Sequence, residues 1–219
     1  MICREWAFQV DLFDESYVCG GEDLDFPCRL ALAGCQFASV NRALNFRRYH
    51  SGRKKKRLSC RVDDYTRALE NTFNDQRCPD DILSLQNIAL ANHYLEVADY
   101  ALIQDEINLG QEIIQEVIRL DPSWLSGSPT RLLEHFLSFT IKDDSRNHKE
   151  LLKTIIQNLP SEAQGISKEY DWAVARGYLR KGVRAIIWDR YEEGQEFFCQ
   201  AKKHGACIDE PFILSLIHI

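Results

Sequence analysis

The sequence predicts an α+β chain, a short stretch of mixed helix and strand followed by an all-helical one, and three observations carry this. Glycines at 20, 21, 34 and 52 punctuate a first stretch in which helical and extended apolar spacings are interleaved. From Val62 onward the apolar residues recur at helical spacing almost without exception. The change falls at a basic run, Arg53-Lys54-Lys55-Lys56-Arg57, which places a domain boundary there, with one unit over 1–57 and a helical one over 58–211.

In order along the chain, Cys3 to Val10 predicts a turn or two of helix, ended by Asp11-Leu12-Phe13-Asp14-Glu15. Glu22 to Ala33 predicts a longer helix closed by Gly34, with Leu24, Cys28 and Ala31 on one face. Phe37 to Val40 and Ala43 to Tyr49 have the composition of two short strands. Helices are then expected over 62–73, 80–100, 105–120, 129–141, 146–159, 167–189 and 191–204. The breaks fall at Pro79, Asp121-Pro122, Gly127, Pro160, Gly165 and Gly205, which stop helices by removing a donor or by freeing the backbone. Trp124, Tyr170, Trp172 and Trp188 read as core or interface packing residues.

A formal charge of −6 argues against a general nucleic-acid binder, because phosphate affinity rests on a cationic surplus. No apolar run approaches the roughly 20 residues that span a bilayer, and Arg4 and Glu5 interrupt any signal-like core at the start. Eight cysteines never fall in a C-x-x-C pair, so zinc-ribbon and thioredoxin readings drop out. Their scattered spacing fits reduced, mostly packing thiols and a cytoplasmic protein. The basic run serves as a solvated linker, or contacts anionic headgroups at the inner membrane face or a diphosphate-linked acceptor.

Chemistry concentrates where two adjacent carboxylates, Glu22 and Asp23, follow Gly20-Gly21 at a helix start. Unpaired backbone N–H groups there favour anions, and glycine lets a ligand approach closely. A carboxylate so placed suits proton abstraction from a hydroxyl, although an acidic pair also serves simply as a charged first turn. Asp23-Leu24-Asp25 also spells D-x-D, a spacing that invites a metal assignment.

The order Phe13-Asp14-Glu15, Gly20-Gly21-Glu22-Asp23, Leu32-Ala33-Gly34 and Arg47-Arg48-Tyr49-His50 resembles the latter part of family 2 glycosyltransferases, over about residues 2 to 52. That resemblance implies a fragment of a GT-A type α/β domain, a nucleotide-sugar donor, a glycan, lipid-linked or protein acceptor, and Mg²⁺ or Mn²⁺. It implies Asp23 as the catalytic base of an inverting transfer with Glu22 supporting it, Gly21 and Arg48 contacting substrate, and His50 as one metal ligand. Pro27, a few residues into the Glu-Asp helix, departs from the family pattern. The resemblance places the family's metal-binding D-x-D at the end of an earlier strand, so Asp23-Leu24-Asp25, inside the Glu-Asp helix, is not that motif. With neither it nor the donor-binding strands found in this sequence, a chain inactive alone is expected.

Ile118-Arg119-Leu120-Asp121-Pro122 is similar to the end of a tetratricopeptide repeat, without a 34-residue period. A helical-repeat interaction module without catalysis is therefore the alternative reading. The apolar tail over 212–219, ending Leu-Ser-Leu-Ile-His-Ile, reads as non-native sequence.

Overall fold

The computed structural model describes residues 2–42, 58–104, 106–143 and 146–207. Among them ten α-helices and two 3-10 segments make up the regular structure, and no strand or sheet is present. The α+β expectation is therefore overturned. Phe37 to Val40 follows an irregular path with Phe37 and Val40 exposed, since a short extended run without a partner has nowhere to place its backbone hydrogen bonds except water. The expected strand over 43–49, the basic run 53–57 and the tail 212–219 lie outside the described residues.

Two compact units divide within one helix, residues 1–97 and residues 98–219. In the first, α1 (Arg4–Gln9) and α2 (Glu22–Leu32) share a small core of Ala7, Val10, Phe26 and Leu30, edged by Trp6, Ala33 and Cys35. So α2 buries the Phe26–Leu30 face and not the one carrying Leu24, Cys28 and Ala31. Pro27 is the sixth residue of α2, past the first turn, so its missing N–H takes away the helical bond to the Asp23 carbonyl. Helix α3 (Leu58–Phe73) packs on α2 and begins before the expected residue 62. The single helix expected over 80–100 is split into α4 (Asp80–Leu83) and α5 (Gln86–Ile103), whose start at Gln86 follows a turn at Ser84-Leu85.

The second unit holds the remaining five helices: α6 (Ile107–Leu120), α7 (Arg131–Thr140), α8 (His148–Gln157) and α9 (Tyr170–Ile187) with α10 (Tyr191–Lys203) packed on it. 

Helices α7 and α8, packed on each other and on α9, carry the core residues Leu132, Leu133, Phe136, Leu137, Leu152 and Ile155, all fully buried. Apolar residues at i, i+3, i+4 and i+7 make this possible, because each helix then presents one continuous face to its neighbours. Caps set the helix starts. The Thr130 side chain accepts from the Leu133 N–H at α7, and Asn147 accepts from Glu150 at α8. Two 3-10 segments, Pro122–Leu125 and Ser161–Glu169, occupy stretches expected to be breaks. Of the tryptophans, Trp124 is buried, but Trp172 and Trp188 are 40% and 60% exposed, so neither is a core residue.

Candidate functional site

Glu22 and Asp23 open α2, whose N-cap is Gly21. Gly20 and Gly21 have φ of 132° and 94°, in the region that disfavours side chains. A β-carbon on Gly20 would stand 2.7 Å from the Tyr65 ring, and one on Gly21 2.9 Å from the Asp64 carbonyl oxygen. The loop therefore lies flush against α3, and glycine is what permits it.

Several contacts hold it there. Asp64 Oδ2 accepts from the backbone N–H groups of Val18 and Cys19, at 2.9 and 2.6 Å. Cys19 and Cys60 form a disulfide, with Cα atoms 5.8 Å apart, which corrects the expectation of reduced packing thiols throughout. Cys3, Cys28, Cys35, Cys78, Cys199 and Cys207 are free thiols. The Tyr65 hydroxyl donates to Asp23 Oδ1 at 2.9 Å. Burial first, and then the neighbouring Asp23 carboxylate, push the Tyr65 phenol up to about 12, so it stays a neutral donor at ordinary pH. Its ring stacks on His93, whose imidazole burial holds below its ordinary value and whose Nε2 is buried without a hydrogen-bond partner. The Arg61 guanidinium also lies over the Tyr65 ring, 5.5 Å from its centroid.

The two acids of Asp23-Leu24-Asp25 have different fates. Asp25 is buried, ion-paired with Arg29 at 2.7 Å and hydrogen-bonded by the Tyr17 hydroxyl. Arg29 in turn donates to the carbonyl oxygens of Val10 and Leu12, so this pair closes the turn before the glycine loop. Asp23 is exposed at the lip of an open cleft of about 840 Å³, lined also by Trp6, Phe13, Phe26, Gln36 and Phe37. A carboxylate beside aromatic faces and solvent can accept a proton from a bound hydroxyl.

The structure thus brings Gly21, Glu22 and Asp23 together at one helix start, while Arg48 and His50 lie outside the described residues. Among the described residues one grouping has three potential metal-ligating side chains in reach of one another: Cys19, Cys60 and Asp64. Its sulfurs are joined to each other and its carboxylate is occupied by two amides, so it does not fit the oxygen-seeking Mg²⁺ or Mn²⁺. Sequence reasoning missed Tyr65, Asp64, Arg61 and His93. Their signal was spacing alone: Cys60, Asp64 and Arg67 share one face of a helix, and Arg61 and Tyr65 the next.

No family model matches the chain, and neither a curated protein nor a solved structure matches it. No helix among the described residues is long and apolar enough to cross a membrane.

Proposed function

We propose that this chain supplies the acceptor-activating carboxylate of a sugar transfer of the family 2 kind, with Asp23 as the base. The observation that supports it is the placement of Asp23 on the first turn of α2, exposed at the lip of the aromatic cleft and held by Tyr65. In the proposed step Asp23 takes the proton of an acceptor hydroxyl as that oxygen forms its bond to the anomeric carbon. The bond from that carbon to the donor's diphosphate breaks, and the nucleoside diphosphate departs with the electron pair. The donor is held outside the described residues, and the chain alone does not transfer.

The test joins the full chain to the donor-binding domain of a family 2 transferase and follows transfer from a nucleotide sugar. General base catalysis is worth about 10²- to 10⁴-fold, so Asp23→Asn is expected to lose at least about 100-fold in kcat. Equal rates for parent and variant would remove Asp23 from the chemistry. A second reading, a helical interaction module without catalysis, draws on the exposed Ile187, Trp188 and Tyr191 around the turn between α9 and α10.

A further inference from the structure

We propose that the Cys19–Cys60 disulfide is a redox-responsive latch on the loop that sets Asp23. The bond ties the residue before Gly20-Gly21 to the first turn of α3, across a sequence separation of 41. Both cysteines are half-buried, so a dithiol can reach them. Disulfides of this kind persist where the surroundings oxidise thiols and open where they reduce them.

The exchange balances with a dithiol reductant. One of its thiolates attacks a sulfur of the Cys19–Cys60 bond, its second thiol resolves the mixed disulfide, and two electrons and two protons pass to Cys19 and Cys60. Two free thiols and an oxidised dithiol result.

Reduction does not remove everything that holds the loop. Asp64 still accepts the Val18 and Cys19 amides, and Tyr65 still donates to Asp23. These are non-covalent and partly solvated, so the loop opens locally more often once the covalent tie is gone. The remainder of α3 keeps its own contacts, with Ala68 and Leu69 buried. The latch acts on the start of α2 and not on the fold, and it holds whether or not Asp23 is a base.

The experiment uses the full chain, oxidised and then treated with dithiothreitol. Iodoacetamide labelling with peptide mass spectrometry is expected to find Cys19 and Cys60 protected before reduction and alkylated after it, while exposed Cys3 and Cys199 are labelled in both states. Amide hydrogen exchange at Val18 and Cys19 is expected to speed at least tenfold on reduction, with Leu69 and Leu133 unchanged. Cys60→Ser is expected to reproduce the faster exchange without reductant, and if that variant fails to fold, the dithiothreitol comparison on the parent chain decides. Labelling of Cys19 and Cys60 in the oxidised protein overturns the proposal. So does unchanged exchange at Val18 and Cys19, and so does faster exchange that spreads to Leu69 and Leu133, which would make the bond a general staple.

Discussion

The hydroxyl of Tyr65 donates to Oδ1 of Asp23 across 2.9 Å, fastening the first turn of α2 to α3 between residues 42 positions apart. Tyr65→Phe removes only that hydroxyl. It is expected to cost about 1 kcal/mol of stability, read as a lower urea midpoint. In an alkaline absorbance titration the tyrosine step near 12 is expected to vanish in the variant.

Gly21 cannot be replaced without moving the loop. Its φ is 94°, and an added β-carbon would meet the Asp64 carbonyl and the Tyr17 ring at 2.9 Å each. Gly21→Ala is expected to destabilise by about 2 kcal/mol or more, from left-handed strain and the backbone clash together. Chemical denaturation of the two proteins side by side measures this.

The Asp25–Arg29 pair supports the same loop from the other side. Arg29→Ala leaves the Asp25 carboxylate buried without its cation and frees the Val10 and Leu12 carbonyls, and is expected to cost about 3 kcal/mol. Arg29→Lys is expected to recover little, because one ammonium cannot serve three acceptors lying in different directions. Thermal unfolding of both variants distinguishes charge from geometry.

How much of this was legible beforehand follows from the range of each interaction. The helix starting at Glu22 and the separate characters of Gly20-Gly21 and Glu22-Asp23 are local properties, set by backbone freedom and helix-end electrostatics, and they were readable. The strand at Phe37 was misread because a strand depends on a partner that composition does not reveal. Tyr65 and the Cys19–Cys60 bond were invisible for the same reason: each joins segments about 40 positions apart through packing of α2 on α3. The break inside the expected helix 80–100 carries no proline or glycine, so nothing in the local sequence announced it.

His148 is buried in the second unit, its Nδ1 paired with Thr140 Oγ1 at 2.8 Å and its Nε2 without a partner of good geometry. Burial first, with Lys181 nearby, lowers its pKa from the usual 6.5 to about 4, although the Ala173 and Val174 backbone pulls the other way. The unfolded chain therefore binds a proton between about pH 6.5 and 4 that the folded chain refuses. The stability from the neutral imidazole is complete above pH 6.5 and is lost as pH falls toward 4, by up to about 3 kcal/mol. Unfolding free energies measured from pH 7 to 4.5 are expected to fall along this course, and His148→Gln to flatten it.

The central claim is that the cleft beside Asp23 receives a hydroxylated acceptor, and chemical-shift mapping of the full chain tests it most directly. Hexose and N-acetylhexosamine oligosaccharides are added at millimolar concentration while backbone amides are followed. The expected result is a set of saturable shifts at Phe13, Asp23, Gln36 and Phe37, reduced in Asp23→Asn. Shifts absent from those four amides, or gathered instead at Ile187, Trp188 and Tyr191, would contradict the account.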